Sequence, residues 1–193
     1  MTDAASLPYR RNVGAMLFND RGQILIGRRT DQPGAGGPLS EGVWQCPQGG
    51  IDAGEDPEQA VLRELHEEIG TDRAEILAVH PQWLTYDLPP ALLGKALGGR
   101  YRGQTQKWFA LRFTGTDADI RLDAHQPAEF DAWQWIDLAT LPDRNVGFKR
   151  PIYQTLAQDF ASYAHPRPCP CPRRIRPPWH HSTRHPSFLR VSG

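Results

Sequence analysis

The chain has 193 residues, which suits one domain with or without a tail. Its 22 basic and 22 acidic residues give a formal net charge of zero, but residues 161–193 hold six arginines and no carboxylate, so 16 basic and 22 acidic residues precede them. A body with this acidic excess does not attract nucleic acid by charge alone, and we expect no double-stranded DNA partner.

Cysteine content and hydropathy give a first expectation about location. Three cysteines do not supply the even disulfide framework of a small secreted domain. No apolar run approaches the roughly 18 residues of a membrane helix, and the N-terminus lacks the apolar core of a signal peptide. We therefore expect a cytoplasmic protein without a membrane partner.

The predicted elements begin with a β-hairpin. Apolar runs at 13–18 and 23–26 flank an Asn-Asp-Arg-Gly turn, which is typical of two antiparallel strands. A Gly- and Pro-rich loop is expected over 31–42. A short strand at 43–45 then leads into a glycine turn at Gly49.

A helix is predicted after this turn. Asp56 suits its N-cap, Pro57 suits its first turn, and Gly70 suits its C-terminal cap. Strands are expected next at 74–83, 107–113 and 130–136, with a long loop over 87–106 and a last amphipathic helix at 149–163. Because the elements interleave without a regular βαβ rhythm, we expect an α/β domain with a mixed sheet packed between helices.

The predicted helix carries the main chemical signal. At about 100° per residue, Glu64, Glu67 and Glu68 fall on one face, beside an apolar stripe that the helix can bury. Carboxylates at these spacings repel one another and weaken an isolated helix. Cations that prefer oxygen ligands reverse the sign of this interaction, so the pattern favours a Mg²⁺ or Mn²⁺ site over a merely solvated acidic face.

The spacing of glycines, acids and arginine resembles the signature of the Nudix family, G-x5-E-x7-R-E-U-x-E-E-x-G-U, in which U is a bulky aliphatic residue. The chain matches every fixed position from Gly49 to Gly70 and departs only at Thr71, which stands at the last aliphatic position. The resemblance implies the family's fold over residues 1–163: an α/β/α sandwich with a mixed central sheet.

The resemblance also implies the metal site. Glu64, Glu67 and Glu68 would bind the divalent ions, with Gly49 and Glu55 completing the site. Bound cations would offset the repulsion between an acidic body and polyphosphate, and would help water attack phosphorus. Because phosphoryl transfer depends on positioning and charge compensation, no nucleophilic serine or cysteine is expected.

Three residues are expected to act in catalysis. Arg63 precedes Glu67 by four positions, the spacing at which a guanidinium can hold a carboxylate in place. Glu68 is our first choice for the proton acceptor, and Glu129 is the alternative.

Stretches outside the signature resemble the subgroup that contains bacterial RNA pyrophosphohydrolases and dinucleoside polyphosphate hydrolases. They lie at 9–14, 44–50, 106–109, 129–133 and 148–153. By this resemblance, the residues that would contact substrate are Arg10, Arg29 and Lys107 at the phosphates, Phe148 on the first base, and Lys149 near the nucleotide. The alternatives are that the arginines are ordinary surface charges and that Phe148 is a core residue.

We therefore expect removal of pyrophosphate from the 5′-triphosphate end of RNA. Asymmetric cleavage of dinucleoside polyphosphates such as diadenosine tetraphosphate is the alternative, because both substrates join a nucleoside to a polyphosphate and a second bulky end. A nucleotide-binding sensor without turnover is disfavoured, since all the expected metal ligands are present. The sequence gives no indication of the oligomeric state.

Residues 164–193 form a tail rich in Pro, Arg and His. Dense prolines remove backbone donors and block helix, so we expect a disordered or extended segment that activity does not require. Two further interpretations remain: non-specific tethering of RNA by the arginines, and a zinc site at Cys169 and Cys171 with nearby histidines.

Overall fold

The computed structural model describes residues 6–31, 42–144 and 147–166. Eight strands form one sheet: β1 (Tyr9–Phe18), β2 (Ile24–Arg29), β3 (Trp44–Gln45), β4 (Gln48–Gly50), β5 (Ala74–Val79), β6 (Leu84–Asp87), β7 (Gly103–Phe113) and β8 (Phe130–Ile136). The helices are α1 (Pro57–Ile69), α2 (Leu141–Arg144) and α3 (Arg150–Asp159), with short 3-10 turns between some elements.

The sheet is mixed, as the sequence predicts. Its main order is β3-β2-β1-β7-β5, with β4 beside β1, β6 beside β7, and β8 beside β2. The long β1 and β7 run parallel over their whole paired length, whereas the other pairs are antiparallel. The β1–β2 hairpin closes through the predicted turn, where Gly22 takes a positive φ of 79°.

Each face of the sheet has its own hydrophobic core. On one face, Met16 and Trp108 pack with Leu156 of α3. On the other, Leu17 and Phe109 pack with α1, for which apolar residues such as Leu65 face the sheet. Alternation of side chains along β1 and β7 supplies both cores from the same strands, which gives the α/β/α sandwich.

Two predicted boundaries after α1 are wrong. The strand predicted at 74–83 ends early: β5 stops at Val79, a turn follows in which His80 is buried and hydrogen-bonded to Asp159 and to the carbonyl of Gln82, and a separate strand, β6, begins at Leu84. The predicted loop over 87–106 is shorter, because β7 begins at Gly103 and not at residue 107.

The last predicted helix is also divided. α3 ends at Asp159, and a 3-10 turn covers Ala161–Tyr163. No helix in the described ranges combines the length and apolar character needed to cross a membrane. Most of the predicted loop at 31–42 and almost all of the predicted tail lie outside the described residues.

Candidate active site

Helix α1 begins and ends where the sequence predicts. The Asp56 side chain accepts the backbone N–H of Glu58 at 2.8 Å, and Gly70 closes the helix in a left-handed conformation with φ of 74°. These caps fix the rotation and length of α1, which brings Glu64 and Glu68 to the sheet. Both are buried, whereas the side chain of Glu67 is 46% exposed.

Arg63 is the centre of the acidic cluster. Its Nε and Nη2 donate to the two carboxylate oxygens of Glu55 at 2.8 and 2.9 Å, and Nη1 donates to Glu64 at 2.9 Å and to Glu67 at 3.2 Å. Nη2 also donates to the carbonyl of Gly50 at 2.8 Å. One planar guanidinium therefore orients three carboxylates and the glycine turn together. Arg63, followed by the backbone of Asp52, lowers the pKa of Glu55 to about 2.

Glu68 lies deepest in the cluster. Its Oε2 accepts the backbone N–H of Gln48 at 3.0 Å, while its Oε1 is buried without a hydrogen-bond partner. Burial, followed by the negative charges of Glu129 and Glu64, raises the pKa of Glu68 well above its usual range. Burial also raises the pKa of Glu64. An uncompensated acceptor surrounded by like charges is a position that a cation stabilises.

The glycine turn is shaped by the side chains around it. A Cβ atom on Gly49 would overlap the Glu64 carboxylate, and a Cβ on Gly50 would overlap the guanidinium of Arg10. A larger residue at either position would therefore displace one of these charged groups, and space is the reason for glycine here since neither has a positive φ. The turn lets the acidic cluster and a basic side chain approach the same stretch of backbone.

The donor set fits a hard divalent cation. Carboxylate oxygens are the ligands that Mg²⁺ and Mn²⁺ prefer, and the buried Oε1 of Glu68 together with the space kept at Gly49 offers a cradle for one. In the described ranges, however, no three Asp, Glu, His or Cys side chains converge closely enough to hold an ion. Glu64 and Glu67 instead contact Nη1 of Arg63.

Basic side chains line a cavity of about 380 Å³ together with part of the acidic cluster. Its lining combines Glu64, Glu67 and Glu129 with Arg10, Arg29 and Lys149. Arg29 is held by both oxygens of Asp31 at 2.7 Å and contacts Glu129 at 3.1 Å. Burial, followed by the charge of Arg29, lowers the pKa of Lys149 to about 8. The cavity therefore combines acidic and basic side chains in one lining, and within it Arg29 and Glu129 are paired with each other.

Phe148 lies beside this cavity but does not line it. Its side chain is exposed, and its ring centroid is 5.2 Å from that of Tyr86. The ammonium of Lys149 lies 5.6 Å from the same Tyr86 ring. The structure therefore brings Phe148 and Lys149 together at one edge of the cavity and excludes Phe148 from the core.

Lys107 is not in the cavity, contrary to the expectation that it contacts phosphates. Its neighbours Gln106 and Trp108 face the cavity side of β7, so Lys107 points to the other face of the sheet. There its ammonium donates to the carbonyl of Pro81 at 3.1 Å and lies 5.9 Å from the Trp83 ring centre.

Sequence reasoning missed an amide network at the base of the cavity. Gln106 Nε2 donates to Asn12 at 3.1 Å, Gln48 at 2.8 Å and Gln104 at 3.0 Å, and all four side chains are buried. Strand periodicity could have found Asn12, because it is a polar residue at an inward position of the otherwise apolar β1, whereas Gln106 falls in the predicted loop. Arg10 lies on the same side of β1 as Asn12.

A second cavity of about 290 Å³ shares the acidic cluster. It is lined by His125, Gln126 and Pro127 as well as by Glu64, Glu67, Glu68 and Glu129. The His125 ring contacts His66 of α1 edge to face, at 5.1 Å between centroids. No sequence pattern pointed to this loop, which reaches the cluster only because it precedes β8.

Comparison with known proteins agrees with this geometry. A NUDIX domain matches residues 8–156. An RNA pyrophosphohydrolase from Gluconacetobacter diazotrophicus is 80% identical over 166 residues, covering 86% of this chain and 99% of that protein. One from Gluconobacter oxydans is 57% identical over 162 residues, covering 84% and 91%.

Solved structures match the fold at lower identity. A C. elegans Ap4A hydrolase complex has a TM-score of 0.54 at 18% identity and covers 79% of this chain and 98% of its own. E. coli dihydroneopterin triphosphate pyrophosphohydrolase has a TM-score of 0.55 at 18% identity, covering 79% and 99%. These structures are similar in fold to the α/β/α sandwich described above.

Proposed function

Because this chain belongs to the Nudix family, we propose that it is a pyrophosphohydrolase that removes pyrophosphate from the triphosphorylated 5′ end of RNA. The observation that carries the proposal is its 80% identity to an RNA pyrophosphohydrolase along 99% of that protein's length. The cavity supports it, since acidic and basic side chains together line a space of about 380 Å³, large enough for a nucleotide end.

The proposed metal ligands are Glu64, Glu67 and Glu68, supported by Gly49 and Glu55. The cation would be Mg²⁺ or Mn²⁺, and when bound it supplies charge compensation for the phosphates and a lower pKa for water. The protein's part is to hold the carboxylates in position. Arg63 does so by contacting Glu55, Glu64 and Glu67 at once.

The proposed substrate contacts lie in and beside the same cavity. Arg10 forms no ion pair with any described carboxylate, so its guanidinium is available for a phosphate, and Arg29 and Lys149 line the same space. Phe148, exposed beside the cavity, is placed to stack on the first base. Binding here orients the bond between the α- and β-phosphates, whose hydrolysis releases pyrophosphate and leaves a 5′-monophosphate.

We favour Glu68 as the group that accepts the proton from the attacking water. Its Oε1 is a buried acceptor without a hydrogen-bond partner, at the inner end of the acidic cluster. Glu129 is the alternative, because it lines both cavities next to Glu68. Glu68→Gln and Glu129→Gln should separate them: the proton acceptor loses kcat with little change in KM, whereas a residue that only holds the substrate or its cation also raises KM.

The test of the proposed function compares two substrates. Purified protein is given 5′-triphosphorylated RNA and diadenosine tetraphosphate in parallel with Mg²⁺ or Mn²⁺, and kcat/KM is measured for each. We expect RNA to be preferred and pyrophosphate to be released in one piece. A preference of about a hundredfold for the dinucleotide, roughly 2.7 kcal/mol, would make the dinucleoside polyphosphate the main substrate.

Glu67→Gln distinguishes an enzyme from a sensor. The Glu67 side chain is 46% exposed, so its loss of charge should leave the fold intact, as measured by circular dichroism and thermal unfolding. We expect hydrolysis to be abolished. Unchanged nucleotide binding with no hydrolysis by either the wild type or this variant would identify a sensor.

A further inference from the structure

The sheet has a second polar surface on the side away from the cavity. Strand pairing places Arg11 beside Thr105, and Thr105 beside Thr85, with the two threonine hydroxyls 3.0 Å apart. Because side chains alternate along a strand, these side chains point to one face of the sheet, and Arg10 and Gln106 point to the other, on the cavity side. The surface, which we call the open sheet face, consists of Tyr9, Arg11, Trp83, Thr85, Thr105 and Lys107.

An exposed tryptophan, Trp83, lies on this face directly before β6. The Trp83 side chain is 37% exposed, although burial of an indole would stabilise the fold more than its exposure does. Two cations lie against it, with the Arg11 guanidinium 4.8 Å and the Lys107 ammonium 5.9 Å from the ring centre. An aromatic plane flanked by cations offers both a stacking surface and phosphate contacts.

The cations of this face are not neutralised within the part of the chain that the structure describes. Arg11 forms no ion pair there, and Lys107 donates only to the carbonyl of Pro81. Asp87 at the end of β6 is occupied by the Tyr9 hydroxyl and Arg102, each at 2.8 Å. Because the rest of the domain has an excess of negative charge, this unpaired positive charge forms a distinct basic surface, which is complementary to a polyanion.

The open sheet face and the cavity lie on opposite sides of the sheet, and both include a residue at the start of β1. Arg10 and Arg11 are consecutive, and the first lines the cavity while the second lies on the open sheet face. A nucleic acid strand whose 5′ phosphates lie near Arg10 reaches Arg11 and Trp83 by passing over this end of the sheet. A dinucleoside polyphosphate has no further nucleotides that could extend from the cavity to the open sheet face.

We propose that the open sheet face binds the single-stranded body of the RNA substrate, downstream of the nucleotide whose phosphates occupy the cavity. A base stacks on Trp83, and Arg11 and Lys107 contact the backbone phosphates. The proposal rests on the proposed function, which it deepens by giving the enzyme a length-dependent preference for RNA.

The experiment compares two triphosphorylated RNAs with the same 5′ sequence, a dinucleotide and a single strand of about 20 nucleotides. The variants are Trp83→Leu and the double variant Arg11→Gln/Lys107→Gln. Arg21→Gln is the matched control, because it removes an exposed cation at the opposite end of β1. We expect kcat/KM on the longer RNA to fall about tenfold in the Trp83 variant, and to be unchanged on the dinucleotide and in the control.

Salt dependence and binding give independent readouts. The slope of log(kcat/KM) against log[salt] on the longer RNA should decrease by about 1.4 in the double variant, at about 0.7 per lost phosphate contact. Affinity for the longer RNA, measured by anisotropy in EDTA so that no turnover occurs, should weaken in the same variants. Equal losses on both RNAs, or no loss on the longer one, would overturn the proposal. A wild type that binds the longer RNA through this face but releases no pyrophosphate would overturn the proposed function alone.

Discussion

Replacement of Arg63 by lysine tests whether one guanidinium aligns the acidic side of the cavity. Arg63 donates to Glu55 through two nitrogens and to Glu64, Glu67 and the Gly50 carbonyl through the remaining contacts. Lysine keeps the positive charge but has a single nitrogen. It therefore cannot contact both oxygens of Glu55 in one plane and also reach the other partners.

The stability change follows from the contact between Arg63 and Glu55. The two side chains are 29% and 15% exposed, so water screens their two hydrogen bonds only in part. A hydrogen bond to a charged group contributes about 1.5–3 kcal/mol to stability. Lysine keeps one of the two hydrogen bonds to Glu55 and loses the other. Because water screens the lost bond only in part, we expect the free energy of unfolding to fall by about 2 kcal/mol. In a domain of this size, that lowers Tm by roughly 4–8 °C.

The same contact predicts a pH dependence. Arg63 holds the pKa of Glu55 at about 2 in the folded protein, below the value of about 4.3 for a free glutamate. A depressed folded-state pKa contributes stability that is present above the unfolded pKa and is lost as the pH falls towards the folded one. The free energy of unfolding of the wild type should therefore decrease between about pH 5 and pH 2, and Arg63→Lys should decrease less over that window.

Urea unfolding of four proteins measures the interaction. They are the wild type, Arg63→Lys, Glu55→Gln and the double variant, each at pH 7 and near pH 3. We expect a coupling energy of about 1–2 kcal/mol at pH 7, within the range for residues in one network, and a smaller one at the lower pH. Additive single effects at pH 7, or coupling that does not change with pH, would refute the idea that the Arg63–Glu55 contact stabilises this site.

Three further predictions concern other parts of the chain. Gly49→Ala should displace the Glu64 carboxylate and lower kcat by about a hundredfold, whereas Gly50→Ala should displace Arg10 and mainly raise KM. Steady-state kinetics distinguishes the two variants, and identical effects would contradict separate roles for the two glycines. Cys46 is fully buried and its pKa is raised by that burial, so peptide mapping should find it unmodified by iodoacetamide until urea unfolds the protein. Deletion of residues 167–193 should leave kcat/KM on short substrates unchanged, because 86% of the chain already aligns with 99% of an RNA pyrophosphohydrolase; a large loss would assign the tail to the site.

Helix α1 could be predicted from the sequence because its signals are local. The N-cap at Asp56, the proline after it and the glycine at Gly70 each act within one turn, and the structure places both ends at these residues. Helical periodicity also placed Glu64, Glu67 and Glu68 on one face beside an apolar stripe. Which of the three is buried depends on packing against other elements: Glu64 and Glu68 are buried, whereas the Glu67 side chain is 46% exposed.

The segment before Lys107 could not be predicted in the same way. Residues 103–106 contain glycine, glutamine and threonine, which are typical of a loop, yet they form the first part of β7. Gln104 and Gln106 tolerate burial there because they hydrogen-bond to each other and to Asn12 and Gln48 from other elements. Those partners are distant in sequence, so local propensity gives no sign of them.

The position of Lys107 outside the cavity has a related cause. Its residue type fits a phosphate contact, but the side of the sheet on which it lies depends on strand register, which a shift of one residue reverses. Parallel pairing of β1 and β7 places Arg10 beside Gln104, so the cavity receives Arg10 and the other face receives Lys107. Residue chemistry alone therefore predicted the kind of contact and not its location.

The two consecutive glycines of the signature explain how an acidic helix and a basic side chain can line one cavity. The Glu64 carboxylate lies against Gly49, and the Arg10 guanidinium lies against Gly50. The carbonyl of Gly50 is in turn held by Arg63, so the turn that contacts both groups is anchored by the residue that aligns the acids. Because these two groups lie against consecutive glycines, an acidic and a basic side chain line the same space, which binding of a polyphosphate together with its cation requires.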